Sequence, residues 1–156
     1  MNTSIVPTMR AFGSRFQSLR VLWIARASVE DLSGVASLVR LTELYASFND
    51  IKDVGPLAEL DFLEVLDLEA NRVEDEDAPD YLNACPALRE LSLEGNPIAK
   101  RASYRRDVCV AVKRLRTLDD APVTDADRAA PVSKNSAAGA EAPPAAAPSA
   151  ERFKEL

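Results

Sequence analysis

At 156 residues with 47% apolar side chains, the chain has the material for one compact core. It contains no histidine, which removes the commonest general base and the commonest metal ligand together. The net charge of −6 is segregated: residues 1–29 carry +4, residues 30–96 hold 17 acids against 4 bases, and residues 97–118 hold 7 bases against 1 acid. An acidic body between basic ends repels nucleic acid and favours basic partners.

The first twenty residues hold no continuous apolar stretch, so no secretory signal is expected. Their three arginines without an acid resemble a transit peptide in composition. The plainer reading is structural. Met9, Phe12, Phe16 and Leu19 are spaced by 3, 4 and 3, the pattern of one apolar helical face that covers an open core end. The terminal Lys154-Glu155-Leu156 is an incomplete match to a retention signal and is set aside.

A repeat begins at Leu19. Leu19, Leu41 and Leu63 lie 22 residues apart, and Leu88 follows after 25. From each runs the template LxxLxLxxNxI: Leu19, Leu22, Ile24, Ala27 and Val29, then Leu41, Leu44, Ala46, Asn49 and Ile51. The third copy is Leu63, Leu66, Leu68, Asn71 and Val73, and the fourth is Leu88, Leu91, Leu93, Asn96 and Ile98. The alternating part predicts a short strand with leucines inward, and successive strands stack as a parallel sheet. The asparagine amide, both donor and acceptor, suits a turn that leaves backbone groups inside. Ala27 replaces it in the first copy. No copy buries its leucines alone, so the architecture is an α/β solenoid with a concave sheet and a helical or irregular convex side.

The third copy is longer. Its run from Glu74 to Asp77, followed by Pro79, suits the first turn of a helix, with Tyr81, Leu82 and Cys85 expected to face the core. The run lacks the order of an EF-hand, so no metal is expected there. After Ile98, Ser103 is expected to cap a helix that turns Tyr104, Val108 and Val112 inward, with Leu115, Leu118 and Asp119-Asp120 closing the domain. Twelve of residues 121–150 are alanine and five are proline, a composition expected to stay disordered. The division is therefore a cap segment over 1–17, a repeat domain with its C-terminal cap over 18–120, and a tail over 121–156. Both cysteines, Cys85 and Cys109, form no CxxC pair and are expected to be buried thiols.

The 22-residue repeat with the closing stretch GNPIAKRASYRRDVCVAVKRLRTLDD resembles the short-repeat leucine-rich subfamily, which includes a phosphatase-1 regulator, a spliceosomal protein and an axonemal dynein light chain. Within it, Val21-Leu22-Trp23, Glu43-Leu44-Tyr45 and the segment from Leu82 to Leu88 with Cys85-Pro86 resemble a ciliary leucine-rich-repeat family required for outer dynein arms and linked to intraflagellar transport. The resemblance covers about Ser18–Asp120. It implies a cytoplasmic and ciliary adaptor, with dynein-arm or intraflagellar-transport components as partners; a nuclear ribonucleoprotein or phosphatase scaffold is the alternative.

Strand residues that point away from the core form the concave face. By template these are Arg20, Val21, Trp23, Ala25 and Arg26, then Thr42, Glu43, Tyr45, Ser47 and Phe48. Glu64, Val65, Asp67, Glu69 and Ala70 follow, then Arg89, Glu90, Ser92, Glu94 and Gly95. Trp23 and Tyr45 fall at the same position of adjacent repeats, so their rings should sit about 5 Å apart. Exposed aromatics on a rigid platform are common binding anchors. The candidate partner-binding set is Trp23, Arg26, Glu43, Tyr45, Phe48, Asp67, Glu69 and Glu94. The competing reading is that the rings merely pack on each other or on the N-terminal segment. Asp67, Glu69 and Glu94 on an open sheet read as a solvated acidic face rather than a hydrolase pair. No catalytic residue, cofactor, metal, small-molecule substrate, nucleic acid or membrane is expected, and a monomer is. The basic cap (Lys100, Arg101, Arg105, Arg106, Lys113, Arg114 and Arg116) is read as an ordinary solvated surface, with contact to the acidic surface of tubulin or to RNA as the alternative.

Overall fold

The structure is a computed structural model and describes residues 16–129. Met9, Phe12 and the chain beyond 129 lie outside that range, and with them most of the cap segment and tail. Five short strands stack in parallel: β1 (Val21–Trp23), β2 (Glu43–Tyr45), β3 (Val65–Asp67), β4 (Glu90–Ser92) and β5 (Thr117–Leu118). A sixth, β6 (Ala121–Pro122), pairs antiparallel with β5. The register places Leu22, Leu44, Leu66, Leu91 and Leu118 opposite one another, and all five are buried. One leucine row thus runs the length of the solenoid. Each leucine covers its neighbour, so no repeat can keep its core without the next.

The chain returns on the convex side through short 3-10 turns, Val35–Ser37 and Gly55–Glu59, and in the longer third repeat through helix α1 (Ala78–Asn83). In α1, Ala78, Leu82 and then Cys85 turn inward. Tyr81, expected to join them, is 42% exposed. It precedes Leu82 by one residue, about 100° around the helix, so the two cannot share a face. The Cys85 thiol donates to the Leu57 carbonyl at 3.2 Å, and burial, with the charge of Asp61, pushes its pKa up to about 11. Cys109 is likewise a buried free thiol.

Three asparagines hold the repeats together. Asn49 donates to Ile24 O (2.9 Å) and Ala46 O (2.8 Å) and accepts from the Ala27 and Val29 amides, both at 3.0 Å. Asn71 bridges Ala46 O, Leu68 O and Ile51 N, and Asn96 bridges Leu68 O, Leu93 O and Val73 N. Each amide serves its own repeat and the one before it. Ala27 therefore needs no amide of its own: it receives that of Asn49. The residue before each template position turns left-handed, with φ of 57° at Arg26, 57° at Phe48, 52° at Ala70 and 77° at Gly95. A side chain there costs roughly 1–2 kcal/mol. Glycine removes that cost in the fourth repeat, where a Cβ would also meet the Ala70 Cα at 3.2 Å.

The C-terminal cap is larger than expected. Helix α2 (Tyr104–Ala111) follows Ser103, which occupies the N-cap position but gives no side-chain cap bond. Its backbone is already helical (φ −90°, ψ −6°), which turns the hydroxyl away from the first-turn amides. Tyr104, Val108, Val112, Leu115 and Leu118 are buried over the fourth repeat. Asp119 and Asp120, with φ of 50° and 59°, form the two-residue turn of the β5–β6 hairpin, a conformation that aspartate tolerates. The ordered chain then continues past residue 120 into α3 (Asp125–Arg128), which opens with a capping box between Thr124 and Asp127. The described structure thus continues past residue 120, where the repeat domain was expected to end, to Ala129.

Candidate protein-interaction face

The register that aligns the leucines also aligns the side chains on the opposite surface. Trp23, Tyr45, Asp67 and Ser92 form one row across the sheet. The Trp23 and Tyr45 rings stack with centroids 3.9 Å apart and planes 16° apart, closer than the strand spacing alone requires. The expected adjacency is present, and the rings lean together. Trp23 nevertheless remains 69% exposed, so mutual stacking leaves a large apolar surface open.

Tyr45 is fixed from its far side as well. Its hydroxyl donates to Glu43 Oε2 at 3.0 Å, and partial burial, followed by this bond and the Glu43 charge, raises its pKa. The next side chain in the row, Asp67, accepts the Glu69 amide at 2.9 Å. Its carboxylate is thereby held beside the ring pair rather than left to swing. Glu94 is exposed one repeat further along.

A second row lies three residues on, where the left-handed bends carry Arg26 and Phe48. The Arg26 guanidinium sits 4.4 Å from the Phe48 ring centroid, a cation–π contact. Phe48 remains 45% exposed. The face thus carries two stacked pairs, Trp23–Tyr45 and Arg26–Phe48, at its N-terminal end, and the acidic residues Asp67, Glu69 and Glu94 towards the other. Ser47, assigned to the concave face by template, is buried. Its short side chain sits between the larger Tyr45 and Phe48 and falls below the level they set.

The basic cap is partly consumed by the fold. Arg105 donates to Asp127 Oδ1 (2.9 Å) and Oδ2 (3.2 Å), to Pro122 O (2.8 Å) and to Leu118 O (3.2 Å). Arg128 donates to Leu115 O at 2.6 Å, and Arg101 pairs with Glu76 at 3.1 Å. Arg105 and Arg128 tie the closing hairpin and α3 to the rest of the cap, Arg101 reaches the segment before α1, and Arg114 donates to Asn83 O at 3.4 Å, while Lys100, Lys113 and Arg116 are exposed. No group of three or more metal-ligating side chains occurs among the described residues, and none of their helices is long and apolar enough to cross a membrane.

No protein-family model matches the chain. It is 41% identical over 143 residues to leucine-rich repeat-containing protein 56 of Homo sapiens, a match that spans 84% of this chain and 26% of that protein. It is 45% identical over 78 residues to dynein axonemal assembly factor 1 of Mus musculus, across 49% of this chain and 12% of that one. The chain therefore corresponds to about a quarter or less of these curated relatives. Among solved structures, one from the Drosophila melanogaster SNF/U2A' complex superposes with a TM-score of 0.64 at 21% identity, over 72% of this chain and 66% of the other. That likeness is one of fold. Repeat length, leucine row, asparagine ladder and sequence relationship agree: the chain belongs to the leucine-rich-repeat proteins and is homologous to a segment of leucine-rich repeat-containing protein 56.

Proposed function

We propose that the chain is a non-enzymatic adaptor that grips a partner protein on its concave face and serves the assembly or transport of ciliary outer dynein arms, acting in the cytoplasm and cilium. The observation that carries the reading is the exposed Trp23–Tyr45 stack on a sheet whose register is locked by leucines and asparagines. A preformed surface loses little freedom on association, and stacked aromatics offer large contact area at low entropic cost. Relationship to a protein named as a dynein axonemal assembly factor supports the biological setting. Glu43, Asp67, Glu69 and Glu94 beside the rings favour a segment with an apolar anchor flanked by lysine or arginine.

The test is replacement of the native gene by Trp23→Ala/Tyr45→Ala in a ciliated cell. Outer arms should be lost or thinned in electron micrographs while the doublets persist and the variant accumulates normally. Intact arms with normal motility would overturn the reading.

A further inference from the structure

The rim where the chain enters the strands carries a second surface of opposite chemistry. Arg20, Val39, Arg40, Thr42, Asp61 and Phe62 line a shallow pocket of about 380 Å3. The repeat dictates the grouping. Val39 and Asp61 stand two residues before the buried Leu41 and Leu63, Arg40 and Phe62 one residue before them, and Arg20 and Thr42 one residue after Leu19 and Leu41. Three rungs of adjacent repeats thus meet at one place, with neighbours on each rung about one strand spacing apart.

Phe62 is 59% exposed and Val39 51%, so two large apolar side chains sit together in the open. Beside them, the side chains of Arg20 and Arg40 make no hydrogen bond or ion pair with any described residue. This contrasts with Arg105, whose guanidinium makes four such bonds. Thr42 Oγ1 donates to Arg20 O at 2.9 Å and pins the floor. Asp61 is the single acid among the lining residues, so the pocket is net positive within a stretch of chain that is otherwise strongly acidic.

We infer that this rim pocket docks an acidic peptide segment of a partner protein bearing one large apolar side chain. The apolar group would cover Val39 and Phe62, and carboxylates on either side would meet the two guanidiniums, whose forked donors match them. The site lies at the rim, shares none of the Trp23, Tyr45, Asp67 and Glu94 side chains of the candidate interaction face and takes a partner of the opposite charge, so the two surfaces can be occupied together.

The experiment uses the full chain and a synthetic fluorescein-labelled peptide, Asp-Glu-Asp-Gly-Phe-Glu-Asp-Glu, with a control in which lysine replaces every acid. Binding is followed by fluorescence anisotropy and by amide chemical shifts. The acidic peptide should bind saturably and shift the amides of Val39, Arg40 and Phe62, while the lysine control should not bind there. Arg20→Glu/Arg40→Glu and Phe62→Ser should each weaken it roughly tenfold, with unchanged melting. Trp23→Ala/Tyr45→Ala should leave it unchanged, which separates this site from the concave one. Absence of saturable binding at millimolar peptide, equal binding by the charge-reversed variant, or shifts confined to the concave face would each refute the site. Concentration-dependent self-association abolished by Phe62→Ser would also overturn it and give the pocket to a second copy of the chain.

Discussion

The Asp119 carboxylate accepts the Leu93 amide at 2.8 Å, the place that a strand carbonyl holds elsewhere in the sheet. In the preceding repeats the equivalent amides go to backbone: Ala46 N to Asp67 O at 2.8 Å and Leu68 N to Ser92 O at 2.9 Å. The same Asp119 oxygen accepts the Tyr104 hydroxyl at 3.2 Å. Burial, and then the Asp119 charge, hold that hydroxyl well above the usual tyrosine range, so it remains a donor. One side chain therefore ends the parallel ladder and joins β4, the closing hairpin and α2.

Asp119→Ala should be costly for its position at the edge. It strips the acceptor from two donors, each orphan costing roughly 1–3 kcal/mol where water is excluded, and places alanine at a left-handed φ. A loss of about 2–4 kcal/mol is expected in urea unfolding. Asp119→Asn retains an oxygen and tolerates the turn, so it should lose less than half as much. Equal stability of Asp119→Ala and wild type would show that the ladder needs no terminal acceptor.

The extent of the cap makes a second prediction. A chain ended after Ala129 keeps β6, α3 and the Arg105–Asp127 pair, whereas one ended after Asp120 loses all three and uncovers part of α2. The first should melt like the full chain, since residues 130–156 offer little apolar surface to bury. The second should melt several degrees lower, and a chain ended at Ala102 should aggregate because the fourth repeat is then open. Indistinguishable melting of the 120 and 129 truncations would place the end of the stable domain at 120.

The repeat itself was legible because its signal is dense: leucines in phase at Leu22, Leu44 and Leu66 fix strand, register and inward face together. The end of the domain was not. Leu115 and Leu118 preserve only the first half of the template, 27 residues after Leu88, so β5 reads as a pair of closing leucines. An LxxL remnant followed by two aspartates was the available clue to the hairpin. On the concave face, template position alone placed Trp23 beside Tyr45. The Arg26–Phe48 contact depends on left-handed bends at non-glycine residues, a conformation imposed by the asparagine ladder and invisible to local propensity. The rim pocket was missed because its six residues are drawn from two adjacent repeats, and only Arg20 and Thr42 occupy template positions on the outward sheet surface.

Acid should loosen the cap in a defined window. The Arg105 guanidinium, and then the Thr124 amide and hydroxyl, hold the Asp127 carboxyl well below the usual carboxylate range. A folded value below the unfolded one means that the charged form stabilises the fold above the unfolded value, near pH 4, and that this contribution fades as pH falls towards the folded one. The difference in urea midpoint between wild type and Asp127→Asn should therefore be constant above about pH 5 and shrink progressively below about pH 4. A difference that grew on acidification would contradict the sign.

The two halves of the concave face should fail in different ways when altered. Trp23 and Tyr45 supply desolvated contact area, which acts once the partner is seated. Trp23→Ala with Tyr45→Ala should therefore weaken a basic, apolar-anchored partner by at least about 2 kcal/mol, chiefly through faster dissociation. Asp67 and Glu69 supply field at a distance, with Asp67 held in place by the Glu69 amide. Reversal of both charges should slow association and flatten its dependence on salt, with a smaller effect on dissociation. Arg26→Ala is the discriminating third variant. It removes the cation above Phe48 but no ring, so binding that relies on exposed aromatic area should be kept or improved towards a cationic segment. Stopped-flow kinetics at several salt concentrations read all three, with circular dichroism and melting as checks on the fold. Wild-type rates in every variant would move the working surface off the concave sheet altogether.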